Sequence, residues 1–440
     1  MDDDGKATRI RLFDFHTPPM RTFHATWFAF FLSFFAWFGI APLMPIIRDE
    51  MGLTPEQMGN LVIASVAATV VARLVVGWLC DRIGSRLTYT ILLCTAAVPV
   101  MGVGLAQTYE TLFWFRLAIG GIGAAFVVTQ YHTSVMFAPN CVGAANATTA
   151  GWGNLGGGVT QQVMPLVVNL AATFGASAFW GWRIAMAVAG GACFLTGIAY
   201  FFLTQDTPAG NVRALRAGGH LPSPRETRAG FVTAVRDPSV WALFLAYGAC
   251  FGMELTINNV AAIYYYDRFG LDLVTAGLVA GAFGLMNLFA RTLGGYFGDA
   301  CGARWGLRGR RNWLVVALVA EGLALVLFSR MHGLGAAVGT MLLFSLFVQM
   351  AEGATFSVVP FVNRRALGAV AGIVGAGGNV GAVAAGFLFR TPTEWWPTAF
   401  LLLGVLVATS ASAVLLVAVP AERPAREPGF EPVVAGRVVS

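Results

Sequence analysis

Two arginines carry the first chemical signal in this sequence. Arg73 and Arg291 each stand eight residues ahead of an aspartate, Asp81 and Asp299, inside runs that hold no other charge. At the helical rise of about 1.5 Å per residue, each guanidinium lies about 12 Å from that aspartate. Neither has an acid within one turn of its own helix. A guanidinium is a planar fork of N–H donors and suits a planar oxyanion through two parallel hydrogen bonds. Two of them at matching depth, facing one space, are expected to hold an anion that neutralises both. The plainer alternative pairs each with a carboxylate or with helix carbonyls.

Other polar residues interrupt apolar runs. Asn154 lies in residues 151–158, five of which are glycine, and Asn379 lies in a similar segment. The four-residue spacing of Gly153 with Gly157, and of Gly377 with Gly381, fits close helix packing. Packing does not explain the two amides, which can donate to a substrate oxygen. Gly153 and Gly378 beside them would let backbone and substrate approach. No lysine follows, so a phosphate-cradling loop is not indicated. Glu254, Glu321 and Glu352 are expected to be hydrogen-bonded or to hold a proton rather than stand freely charged. Glu254 and Glu352, with His132, are the candidate proton carriers, and Glu321 is expected in a helix contact. Gln130, two residues before His132, is a candidate substrate contact, and Arg116 is expected in a structural pair. The six cysteines show no ligand spacing, so neither a metal nor a cofactor is expected.

The elements that must position these residues are membrane spans. Of 440 residues, 57% are hydrophobic and 11% charged, and the mean hydropathy is +0.69. A soluble domain carries about a quarter charged residues. That excludes an ordinary soluble enzyme, a secreted disulfide scaffold and a disordered chain. Residues 22–47, 87–109, 117–182, 184–205, 331–351, 366–389 and 395–421 carry no charge, and 117–182 is long enough for two spans around Pro139-Asn140. Residues 57–80, 238–266, 273–298 and 312–329 each carry one: Arg73, Glu254, Arg291 and Glu321. With about 20 apolar residues per pass, this predicts twelve helices. The arginines gather in alternate connections, among them Arg82 and Arg86, Arg304 to Arg311, and Arg364 and Arg365. They are therefore read as cytoplasmic loops rather than as a nucleic-acid footprint. Both termini are then cytoplasmic in a multi-pass protein of the plasma (inner) membrane. The expected organisation is a cytoplasmic segment over 1–21, six helices over 22–203, a linker over 204–238, six more over 239–419, and a tail over 420–440.

The chain also repeats itself. Arg73, Gly77, Asp81, Gly84 and Arg86 match Arg291, Gly295, Asp299, Gly302 and Arg304 at one offset of 218. Gly143, Ala144, Gly153, Asn154 and Gly156 match Gly368, Ala369, Gly378, Asn379 and Gly381 at an offset of 225. Equivalent helices lie six apart in the same orientation, which is a parallel duplication with a site between the halves. The connector Gly77 to Arg86 resembles the loop motif of the major facilitator superfamily, and Ala300 departs from its first copy, which has Arg82. The segments 151–157 and 375–381 resemble the paired motifs of its nitrate/nitrite porters. Gly252-Met-Glu254 through Asn259, followed by 265–270, is most similar to the high-affinity nitrate transporters of plants, algae and cyanobacteria.

The resemblance implies an all-α fold of two pseudo-symmetric six-helix bundles. It implies no enzyme, but a monomeric secondary transporter that imports nitrate, and nitrite too, by alternating access and proton symport. Nitrate/nitrite exchange is the alternative, and a nitrate sensor a further one. It implies a substrate site of Arg73, Arg291, Asn154, Asn379, Gly153, Gly378 and Gln130, together with Tyr247, which aligns with a substrate-contacting tyrosine of the family. Gly77, Asp81, Arg82, Gly84, Arg86 and Asp299 would form the gating loops.

Overall fold

A computed structural model describes residues 5–138, 141–217, 234–362 and 367–418, apart from the side chains of Asp81, Pro360 and residues 142–144, 216–217, 367–369 and 371. Residues 1–4, Pro139-Asn140, residues 218–233 of the expected linker, Arg364 and Arg365, and the tail lie outside the described residues. The chain is an all-α membrane protein. The helices are α1 (Pro18–Phe38), α2 (Pro55–Ile83), α3 (Ser85–Gly102), α4 (Tyr109–Met136), α5 (Val142–Thr173), α6 (Ala178–Leu203) and α7 (Pro238–Phe269). Next, α8 starts as Leu273–Leu285 and runs on into Ala290–Ser329, which doubles back to give α9. Then come α10 (Leu334–Val362), α11 (Leu367–Gly386) and α12 (Trp396–Val414).

Ten stretches among the described residues are long and apolar enough to cross a bilayer. One of them, Leu273–Ser329, holds two passes, and the Gly- and Asn-rich α5, 32 residues long, supplies another. That makes twelve. The break between α8 and α9 is Trp305 (φ −130°) and Gly306 (φ +58°), and the Asp299 carboxylate closes the hairpin by pairing with Arg310. The equivalent turn in the first half works differently. Thr54 and Gln57 cap the start of α2 reciprocally, and the helix ends at Gly84 with φ +90°. A Cβ there would strike the Asp206 carboxylate, which accepts from the Arg86 N–H (2.7 Å) and the Val212 N–H (3.0 Å). Asp206 thus ties the α2–α3 turn to the chain after α6.

The sequence repeat reappears as packing. In the first half α1 lies on α5, and in the second α7 lies on α11. A Cβ on Gly156 would fall on the Phe31 carbonyl oxygen, and one on Gly381 on that of Gly248. Lipid offers no hydrophobic drive between helices, so such backbone contact is what holds them together. The two halves meet where α5 crosses α8 and α2 crosses α11. Their polar ties gather toward the face opposite the Gly84 and Gly306 turns. Arg48 pairs with Asp267 (2.5 Å), Arg390 with Glu56, and Gln161 donates to the Asn258 carbonyl (2.6 Å).

Backbone cannot retreat as a side chain can. Gly156→Leu is therefore expected to cost more than about 3 kcal/mol and to reduce the monodisperse yield of purified protein. Gly191→Ala, where a Cβ meets nothing within 4 Å, should leave the thermal midpoint within a degree or two. Size-exclusion profiles and thermal unfolding of the two variants check both outcomes.

Candidate functional site

Both arginines are buried at 5% exposure, and they hold different partners. Arg73 on α2 reaches across the seam, and its Nη1 donates to the Gly375 carbonyl of α11 (2.6 Å). Its Nε and Nη2 have no hydrogen-bond partner. Its guanidinium lies 5.3 Å from the ring centre of Phe126 on α4 and 5.8 Å from that of Phe251 on α7. Arg291 on α8 donates from Nη2 to the Tyr247 hydroxyl (3.0 Å) and pairs through Nη1 with the fully buried Glu352 of α10 (2.6 Å). Rings link the two guanidiniums, because Phe251 lies beside Arg73 and stacks on Tyr247, whose hydroxyl holds Arg291. Tyr247 stacks on Phe251 (5.1 Å, 13°), and Phe356 stands edge-on to Tyr247 at 5.1 Å and 6.3 Å from Phe126.

The two asparagines also differ. Asn154 and Asn287 each donate from Nδ2 to the buried Glu254 carboxylate, at 3.2 and 2.6 Å. Asn379 is fully buried with neither amide atom partnered. It stands one helical turn after Gly375, on the face of α11 that holds Arg73. Gly153 and Gly378 are placed alike, since a Cβ on the first would strike the Phe30 ring and on the second the Phe251 ring. Gly378 thereby sets how close the Phe251 ring stands to α11.

Several expected site residues lie elsewhere. Gln130 donates to the Asn146 carbonyl (3.3 Å), joining α4 to α5 one turn beyond Phe126. His132 is buried within the first half, with Nε2 against the Gln205 carbonyl (2.8 Å) and Nδ1 against the Tyr200 hydroxyl (2.5 Å). A carbonyl only accepts, so Nε2 carries the hydrogen, while the Tyr200 hydroxyl, which also bonds Thr26 (2.9 Å), can serve Nδ1 as donor or acceptor. Arg116 does make a structural contact, to the Trp37 carbonyl (2.8 Å) and the Asn259 side chain, but without an acid. Glu321 is buried with neither oxygen hydrogen-bonded. In the gating-loop set, Gly77 lies on α2, Arg82 stacks on Trp78 (4.9 Å), and the Asp81 side chain lies outside the described residues.

Arg291 has no acid within one turn on its own helix, and the fold brings it one from α10, Glu352, as the plainer alternative allowed. Sequence reading also missed Asn287, Phe126, Phe251 and Phe356. Asn287 had a signal: a polar residue in an apolar run, four before Arg291 and so on the same face. The rings had none, being ordinary apolar residues of ordinary spans.

Comparisons with known proteins agree with this architecture. The sequence profile of the Major Facilitator Superfamily matches residues 26–363 and 250–438. The chain is 40% identical over 422 residues to the high affinity nitrate transporter 2.5 of Arabidopsis thaliana, covering 96% of this chain and 84% of that one. It is 32% identical to the nitrate/nitrite transporter NrtP of a Picosynechococcus strain, covering 82% and 83%. Among solved structures, a bacterial homologue of the lysosomal transporter Spinster superposes with a TM-score of 0.70 at 15% identity, over 91% of this chain and 97% of that one. The xylose transporter XylE of E. coli gives 0.66 at 12%, over 90% and 97%.

A buried amide with no partner is a cost of about 1–3 kcal/mol that an apolar residue of similar size avoids. Asn379→Leu is therefore expected to raise the thermal midpoint of the ligand-free protein. His132→Phe, which orphans the Gln205 carbonyl and leaves the Tyr200 hydroxyl with Thr26 alone, should lower it. Thermal unfolding of both variants beside the parent reads the two signs directly.

Proposed function

The chain belongs to the Major Facilitator Superfamily, in its nitrate/nitrite porter branch, and on that premise we propose that it carries nitrate, and nitrite with it, into the cell as a proton-driven secondary transporter. The observation that carries this reading is Arg73. A buried guanidinium with two unused N–H directions, beside flat rings and the unpartnered Asn379, offers a small planar anion donors along one edge and π-faces on its sides. Arg291, beyond the same rings, is the second cation.

Energetics supports the proton. An anion entering a cell that is negative inside moves uphill by about 2.3 kcal/mol per 100 mV. Nitrate is too weak a base to bring a proton itself, so the protein must carry it. Two acids, Glu254 and Glu352, stand at the site and can do so, whereas nitrate/nitrite exchange needs neither. Alternating access completes the reading. The Arg48–Asp267 and Arg390–Glu56 pairs clasp one face, which the positive-inside rule makes the outer one, and opening that clasp while the arginine-rich face closes would turn the site outward. Gly84, Arg86 and Asp299 at that arginine-rich face, with Gly77 on the last turns of α2, are then the hinge region.

Tracer uptake into proteoliposomes tests the proposal. Nitrate is expected to accumulate only under an inward proton gradient, and counterflow without any such need would replace symport by exchange. Arg73→Lys and Arg291→Lys should each weaken nitrate binding by about 10- to 100-fold despite the retained charge, the worth of a charge-assisted hydrogen bond. Replacing Glu254 and Glu352 together by Gln should abolish accumulation. Near-normal binding in both lysine variants would remove the anion clamp from the mechanism.

A further inference from the structure

The two arginines are unequal, and the inequality has a consequence for coupling. Arg73 spends one N–H on a backbone carbonyl and faces no acid, so no carboxylate competes with an anion for it. Arg291 is already neutralised. Glu352 lies 2.6 Å from its Nη1, both side chains are buried, and the remaining contact of Arg291 is to the neutral Tyr247 hydroxyl. A second anion at Arg291 would place two negative charges on one guanidinium in a medium that screens little.

Building on the nitrate reading above, we propose that nitrate and the Glu352 carboxylate compete for Arg291, and that the proton which discharges Glu352 is one that travels with nitrate. The step balances simply. A proton adds to the Glu352 carboxylate to give the acid, its ion pair with Arg291 breaks, and a nitrate oxygen takes the vacated guanidinium N–H. No other bond changes, and one proton plus one nitrate leaves the net charge of the cluster as it was. Release on the other side runs the step backward: nitrate departs, Glu352 returns to Arg291, and the proton leaves with the anion.

The surroundings of Glu352 fit that exchange. The titratable and charged groups that face it are Arg291 from α8, Glu254, Tyr247 and Cys250 from α7, and Glu321 from α9. Glu254 stands within hydrogen-bonding reach of Glu352. It accepts from the Asn154 and Asn287 amides, which leaves it an acceptor toward its neighbour. When Glu352 gains its proton, the new O–H therefore has a partner at hand. Glu254 is the seat that receives the discharged acid, and Glu352 is the group that nitrate displaces. This also ties the halves together, since Asn154 on α5 belongs to the first half and reports any movement of the seam to the acid pair.

Linkage makes the idea measurable. If binding one nitrate requires one proton, the dissociation constant rises tenfold per pH unit once the pH exceeds the loading range. The test uses the purified full chain, nitrate as ligand and a pH-indicator dye in weak buffer. Wild type is expected to take up about one proton per nitrate bound, and its affinity for nitrate to fall tenfold per pH unit on the alkaline side. Glu352→Gln should lose both the proton uptake and the slope. Glu254→Gln, which keeps an acid on Arg291, should keep the slope with its range displaced. Nitrate binding by wild type without proton uptake overturns the proposal, whether or not either variant folds. So does a slope that survives Glu352→Gln. Failure of wild type to bind nitrate at any pH overturns the transport reading itself.

Discussion

A guanidinium inside a membrane is the constraint on which this structure turns. Arginine at mid-bilayer costs at least about 2.5–3.5 kcal/mol, and the chain buries Arg73, Arg116 and Arg291 within membrane-spanning helices. Each is compensated in its own way. Arg116 is held by a carbonyl and an amide oxygen, which leaves only its Nε without a partner, and it acts as a strut. Arg291 is neutralised by Glu352. Arg73 has one carbonyl, two ring faces and nothing further. That shortfall marks Arg73 as the place where a mobile anion has the most to gain, because it would complete a set of hydrogen bonds that the protein leaves open.

Meeting that constraint needs helices that approach closely at mid-depth. Arg73 reaches Gly375 because α2 and α11 touch across the seam, and Asn154 reaches Glu254 because α5 and α7 do. Within each half the glycines of α5 and α11 bring backbone against backbone, Gly158 does the same across the seam against Gly284, and Gly378 makes room for the Phe251 ring. A single structural device, the glycine-lined helix, therefore sets both the cohesion of each half and the walls of the site. The two halves use it in the same way and fill it differently: Asn154 is bonded to an acid, whereas its counterpart Asn379 is bonded to nothing. The duplication is symmetric in backbone and asymmetric in charge.

The sequence by itself determined the elements and their depth. Hydropathy counts apolar residues along the chain, and the bilayer reads that same count, so spans, turns and the arginine-rich face follow from local composition. Arg73 and Arg291 announced themselves because a charge inside an apolar run needs a reason, and the common offset to Asp81 and Asp299 fixed their equal depth. Tertiary structure decided what those residues face. Glu352 is 61 positions from Arg291 in the chain, and no pattern within one helix reveals which acid on another helix turns toward it. Phe126, Phe251 and Phe356 read as lipid-facing or core residues like their many neighbours until packing set the first two beside Arg73 and the third against Tyr247. His132 carried the right chemistry for a proton carrier, and only the fold showed both nitrogens spent on Tyr200 and Gln205. Depth is a property of one helix and can be counted, but partnership is a property of how twelve helices rotate against one another, and that rotation is set by side-chain packing summed over the whole interface.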